Sequence, residues 1–172
     1  RPGWSSAASE WYKGQVLAHA EDETFCAALR KSTDAFLAAR PIESENRAVA
    51  RALALAEKTS ARVHICHASN PEAVSRVVAA RAGGTKETVE TCMHYLLFNE
   101  EDFKGNPNAL KCLPPLRSNA ARETLWQQLL NGGIDIIASD HSPSVPEEKA
   151  PHLDICDAWG GINGVQATLQ LL

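Results

Sequence analysis

Residues 63–84 read VHICHASNPEAVSRVVAARAGG. The opening VHIC is a short run rich in apolar and β-branched residues, the pattern of a strand. Asn70, Pro71 and Glu72 then supply, in order, a side-chain cap, a proline suited to the first helical position and an acid in the first turn. Val74, Val77 and Val78 recur at helical spacing, and Gly83-Gly84 ends the helix. A strand running straight into a capped helix is half of a βαβ unit, and His67 stands at the carboxyl end of that strand.

The alternation continues in both directions. Upstream, residues 15–18 (QVLA) form a strand-like run ending at His19. Residues 21–40 read as one helix. Glu21, Asp22 and Glu23 suit its positive end, and Phe25, Leu29, Ser32 and Phe36 share a face. Pro41 stops it. Ser44 reads as the N-cap of the next helix, whose inner face is Val49, Ala52, Leu53 and Ala56. Downstream, residues 88–92 (TVETC) form a strand, Asn99 caps a short acidic turn, and residues 105–109 are loop. Residues 111–113 (KCL) form a short strand cut off by Pro114-Pro115. Ser118 caps a helix with Leu125 and Leu129 inward, closed by Gly132-Gly133. Residues 134–138 (IDIIA) are the most strand-like run of all and end at Ser139-Asp140-His141. A proline-rich loop, Gly160-Gly161 and a helical pattern complete the chain.

Strand–helix alternation repeated this often predicts a parallel α/β fold. Doubly wound sheets and (β/α)8 barrels both fit it. A whole barrel takes ~250 residues, and these 172 supply four or five strands. The chain opens at Arg1 and stops at Leu171-Leu172 within a helical pattern, as a piece of something larger would. Its composition, 44% hydrophobic and 22% charged, is that of an ordinary globular protein. Disordered tails, collagen, coiled coils and disulfide scaffolds are excluded, and no apolar run approaches the ~20 residues of a membrane span. With 17 Lys+Arg against 21 Asp+Glu, the net charge of −4 argues against nucleic acid or an anionic membrane as partner. Five scattered cysteines (Cys26, Cys66, Cys92, Cys112, Cys156) without a CxxC suggest reduced thiols, buried as small fillers, in a cytoplasmic setting.

Three strand-like runs end on a potential metal ligand: His19, His67 and Asp140. In parallel α/β folds the carboxyl ends of the strands form the functional face, so residues far apart in sequence can converge there. Imidazole suits zinc, and a carboxylate binds metal or acts as a base. A hydrogen-bonded structural histidine is the competing reading at each position. His64 is read as buried or on the outer face, not as a ligand, and His152 as solvated. His94, also after a strand, either orients substrate or packs. His141 would support the site from behind Asp140. Lys111 and Arg117 face an anionic group or form structural ion pairs. No GxGxxG, P-loop or GxSxG occurs, which argues against a nucleotide cradle and a serine hydrolase.

Seven stretches carry a family resemblance: VLAHAED (16–22), RPIESENRAVARALALA (40–56), VHICHASNPEAV (63–74), VETCMHYLLFNEEDF (89–103), KCLPPLR (111–117), NGGIDIIASDHSP (131–143) and WGGINGVQATL (159–169). Together they resemble the C-terminal half of amidohydrolase-superfamily cyclic amidases. Within that group they are most similar to allantoinases, with hydantoinases/dihydropyrimidinases and dihydroorotases as relatives.

The resemblance implies a partial (β/α)8 TIM barrel, residues 1–172 supplying about strands five to eight of a metal-dependent hydrolase domain. Two divalent metals, usually zinc, would be bridged by a carboxylated lysine and a hydroxide. His19 would close strand five and His67 strand six, both on the more exposed metal. Asp140 would close strand eight, bind the buried metal and serve as general base and acid. A strand-seven segment around Leu113, with Ser69 and His94, would line the substrate pocket. The implied reaction is hydrolysis of a cyclic ureide, allantoin to allantoate, by a homotetramer. There are departures. No His-x-His pair occurs, and the bridging lysine would lie upstream, Lys13 being too close to His19. Met93 stands where allantoinases commonly have proline, and Ala68 where a larger apolar residue is usual. The chain alone is therefore expected to be inactive. The alternative is a naturally short homologue that acts by binding, with open sheet edges.

Overall fold

Four short strands pair in parallel in the order in which they occur: β1 (Gln15–Ala18), β2 (Arg62–Ile65), β3 (Thr88–Cys92) and β4 (Ile136–Ala138). The computed structural model describes residues 14–30 and 35–170. Arg1, Lys13, Ser32 and Leu171-Leu172, which enter the sequence reading, lie outside these. Parallel neighbours need crossovers. α1 (Glu23–Arg30) and α2 (Ile42–Thr59) follow β1, and α3 (Pro71–Ala82) follows β2. α4 (Met93–Leu97), α5 (Glu100–Gly105) and α6 (Asn119–Leu130) follow β3. A doubly wound sheet reverses its strand order at a switch point, whereas a barrel keeps it. The order 1-2-3-4 decides for part of a (β/α)8 barrel.

The two faces of the sheet differ. The register aligns Val16 with Val63 and Ile65 with Val89 on one face. Val63, Ile65 and Val89 join Val49 and Ala56 of α2, Val74 and Val77 of α3 and Leu125 of α6 in one buried cluster. Fully burying each large apolar side chain contributes about 1.5–3 kcal/mol. The other face carries Leu17, His64, Thr88, Glu90 and Ile136. There Leu17 and Ile136 are 39% and 49% exposed. This is the wall that a closed barrel turns inward. His64 therefore stands on the inner wall and not on the outer face. It is buried because Thr88 (2.7 Å) and Glu90 (3.1 Å) take its two ring nitrogens.

Several boundaries differ from the sequence reading. The single helix expected over residues 21–40 is α1 followed, from residue 36, by turns. Asp22 fixes its start by accepting from Phe25 N (3.0 Å) while its own N–H is held by Ser44 O (2.9 Å). Phe36 leaves the helical face to stack on Phe103, ring centroids 5.6 Å apart. Ser44 is not an N-cap: α2 starts behind Pro41, and the Ser44 hydroxyl donates back to Pro41 O at 2.7 Å. Residues 111–113 form no strand. Pro114 and Pro115 lack N–H groups, and the Lys111 carbonyl is taken by Gly161 N (3.0 Å). β3 consequently pairs directly with β4 and occupies the place expected for residues 111–113. Residues 165–170 form turns where a helix was expected. No helix among the described residues is long and apolar enough to cross a membrane.

The junction after β2 is built as its sequence suggests. Asn70, fully buried, accepts from Glu72 N (3.0 Å) and Ala73 N (3.1 Å). Asn70→Ala leaves both amides without their acceptor, and a loss of about 1–2 kcal/mol of unfolding free energy is expected in urea melts.

Candidate functional site

Each of the four strands delivers a candidate side chain at its carboxyl end: His19 after β1, His67 after β2, His94 in α4 directly after β3, and Asp140 after β4. His19 Nδ1 and His67 Nε2 lie 3.1 Å apart, with ring centroids at 4.8 Å in an edge-to-face arrangement. The ligand atoms of Asp140, His94 and Cys92 all lie within 4.8 Å of one another. His67 and Asp140 both adopt left-handed backbone, φ 39° and 40°. Non-glycine residues pay strain there, and such strain concentrates at functional sites.

The surroundings hold these groups in place. The His67 N–H donates to Glu90 Oε1 (3.3 Å), and the other Glu90 oxygen meets His64 Nε2 at 3.1 Å. Burial works to raise the Glu90 carboxyl, but its bonds to His64 and His67 carry it below the ordinary carboxylate value. Ala68 N donates to Glu90 O (2.8 Å), and Thr91 Oγ1 to Ala68 O (2.8 Å), stitching the loop after β2 to β3. His19 is pushed down to about 4 by burial, then by the charges of His67 and Arg40. Its imidazole is thus neutral and able to act as a ligand. Glu21, buried and paired with Arg40, stands 3.9 Å from His19 Nε2. Glu90 has no place in the sequence reading, where Cys92 is a small filler and Glu21 an acid at the start of a helix. The alternation in TVETC was the available signal, since it puts Glu90 and Cys92 on one face of β3.

Other expected site residues are placed differently. Ser69 is buried: its hydroxyl donates to Glu45 and accepts from Arg117 Nε at 2.9 Å. Its hydroxyl anchors the loop behind His67. Arg117 completes a structural ion pair with Glu45 at 3.3 Å. Among the described residues Lys111 forms no ion pair; it donates to the carbonyls of Ala158 (2.6 Å) and Cys156 (3.1 Å). Leu113 lines a cavity of about 460 Å3 with Phe36, Arg40 and Lys111, and none of the candidate side chains at the strand ends borders it. His141 is exposed, and its Nδ1 accepts from Val165 N (3.3 Å). His152 is exposed, as expected. Cys26, Cys92 and Cys112 are buried, Cys66 is intermediate and Cys156 exposed, and all five thiols are free.

The donor set suits a divalent metal. Two nitrogens each about 2.0–2.1 Å from a tetrahedral zinc stand roughly 3.3 Å apart, close to the His19–His67 spacing. His94 is fully buried with no hydrogen-bond partner on either ring nitrogen, and burial, aided by the charge of His67, pushes it down to about 3. Acid titration has a definite sign here. Unfolded, both histidines protonate near 6.5; folded, they resist until about 4 and 3. The unfolded state binds more protons in that window, so stability falls as pH falls from 6.5 toward 3. In chelator-treated protein the urea midpoint is expected to drop across this range. His94→Phe should flatten the lower part of the curve, and an unchanged curve would contradict the assignment.

Sequential parallel strands with imidazoles and a carboxylate at their carboxyl ends define the class: part of a (β/α)8 barrel with its candidate site on the carboxyl-end face. No family model matches the chain. It is 44% identical over 165 residues to the allantoinase of Rubrobacter xylanophilus and 41% identical over 163 residues to that of Streptomyces avermitilis. These matches cover 91% and 92% of the chain and 36% of each relative. Among solved structures it resembles L-hydantoinase (dihydropyrimidinase) from Arthrobacter aurescens, with TM-score 0.87, 32% identity, 91% of this chain and 37% of that one. The chain is thus similar to allantoinases and hydantoinases, and it spans about a third of the length of these relatives.

Proposed function

We propose that residues 1–172 are about strands five to eight of a catalytic barrel that hydrolyses a cyclic ureide, allantoin to allantoate. The observation that carries this reading is the pair His19–His67, ring nitrogens 3.1 Å apart, in a chain 44% identical to an allantoinase. The two imidazoles would hold a divalent cation, zinc by the donor chemistry, and Asp140 a second one. A bound cation would supply polarisation of the ring carbonyl and acidification of water. The Asp140 carboxylate takes the proton of the attacking water and passes it to the departing ring nitrogen. The Glu90 carboxylate holds the His67 backbone, and with it the ring, in place. His94 and Leu113 contact the substrate or the shell around it. The remaining metal ligands, a His-x-His pair and a carboxylated lysine, are not provided by these strand ends. In this reading the assembly is a cytoplasmic homotetramer.

A hydantoinase/dihydropyrimidinase activity is the second reading, favoured by the fit to the Arthrobacter aurescens structure. The test is a chimera in which the matched 165 residues of the Rubrobacter xylanophilus allantoinase are replaced by their counterpart from this chain. Allantoin, hydantoin and dihydrouracil are offered in parallel, and allantoin is expected to be turned over fastest.

A further inference from the structure

The buried His94 ring packs against Tyr95, centroids 4.3 Å apart, but its two nitrogens are unused. It is fully enclosed, and neither nitrogen meets a hydrogen-bond partner. Buried polar atoms are nearly always paired, so an orphaned imidazole beside other donors points to a ligand. Two donors stand next to it. The Cys92 thiol, also fully buried, projects from the end of β3, and the Asp140 carboxylate from the end of β4; the three ligand atoms lie within 4.8 Å of one another. The register places Cys92 opposite Ala138, which brings the thiol to the strand that leads into Asp140.

We propose that Cys92 Sγ, a ring nitrogen of His94 and a carboxylate oxygen of Asp140 form a binding site for one thiophilic divalent cation of the zinc, cobalt or cadmium type. Sulfur, nitrogen and oxygen donors together select such a cation over magnesium or calcium, which take oxygen ligands alone. Three protein ligands leave a fourth, tetrahedral position for water. On binding, the Cys92 thiol proton passes to solvent and the sulfur coordinates as thiolate. Closing the set asks for roughly 1 Å of movement. Asp140 can supply it, because it is exposed and no hydrogen bond among the described residues ties its carboxylate. Asp140 is also the residue to which the hydrolytic reading gives its second cation, so the two sites compete for one carboxylate. A second cluster, His64, Cys66 and Glu90, is equally close-set. There, however, Thr88 and Glu90 already satisfy both His64 nitrogens, which makes Cys66 a control.

The test titrates Co2+ into the chelator-treated 172-residue chain and follows the near-ultraviolet thiolate-to-cobalt charge-transfer band. One equivalent is expected to develop the band. Cys92→Ser should abolish it, His94→Gln should weaken cobalt binding by about 10–100-fold, and Cys66→Ser should leave it intact. Circular dichroism checks the fold of each variant, and if Cys92→Ser unfolds, the His94→Gln affinity decides. Absence of the band, its survival in folded Cys92→Ser, its loss in Cys66→Ser or unchanged affinity in His94→Gln would each overturn the proposal. The readout needs no turnover. A chain that hydrolyses nothing still shows the band if the site exists, and an active allantoinase chimera without it refutes the site alone.

Discussion

Asp140→Asn is expected to lower allantoin hydrolysis by the chimera about 100–10,000-fold while leaving its urea midpoint unchanged. The size is that of removing a positioned general base. The separation of the two readouts follows from where the residue sits. Asp140 follows β4 on the exposed end of the sheet, outside the buried cluster, and no hydrogen bond among the described residues depends on its carboxylate. Its left-handed backbone (φ 40°) is one that asparagine also tolerates. Asparagine keeps the shape and loses the proton acceptor. If folded Asp140→Asn protein retained full activity, another group would be the base, and Glu90, ionised and adjoining His67, would be the next residue to test.

The largest stability effect belongs to a residue that does no chemistry. Arg117→Ala is expected to reduce unfolding free energy by about 3–5 kcal/mol, because it leaves a buried carboxylate without its counter-charge. The Arg117 guanidinium spends its donors on three partners: Glu45 Oε2 (3.3 Å), Ser69 Oγ (2.9 Å) and the Arg40 carbonyl (2.7 Å). Glu45 and Arg117 are both almost fully enclosed, and Glu45 also accepts from Ser69 N at 2.8 Å. One cation thus ties the start of α2, the loop after β2 and the end of the 111–117 segment. For a chain of this length such a loss lowers the melting temperature by about 6–20 °C. The double variant Arg117→Met/Glu45→Leu should recover much of it, since no charge is then left stranded. A loss below about 1 kcal/mol for Arg117→Ala would mean that water reaches Glu45.

Local signals in the sequence carried much of the architecture. The strands at Gln15–Ala18 and Thr88–Cys92 have the bounds that their apolar alternation suggests, and the caps at Asn70, Asn99 and Ser118 do in the structure what their side chains predict. Strand order was not legible, because pairing is decided by partners far along the chain. The run KCL at 111–113 resembles a strand as well as TVETC does, yet its neighbours Pro114 and Pro115 cannot donate to a ladder. The same limit hid the Glu45–Ser69–Arg117 network, whose members are 24 to 72 residues apart. The candidate residues His19, His67 and Asp140 are legible as polar endings on apolar runs. Glu90 ends no apolar run and carries no such signal, although alternation with Thr88 and Cys92 places all three on the inner wall. A serine beside a strand-end histidine reads the same whether it faces a ligand or, as the Ser69 hydroxyl does, a buried carboxylate.

We propose that this chain carries about strands five to eight of a cyclic ureide hydrolase. Its most direct test is the rate at which the chimera bearing this chain's segment opens allantoin, measured beside hydantoin. Turnover of allantoin that exceeds turnover of hydantoin and is lost on removing His19 and His67 together is the predicted result. A chimera that folds and retains the Rubrobacter xylanophilus portion, yet opens neither ring, would contradict it.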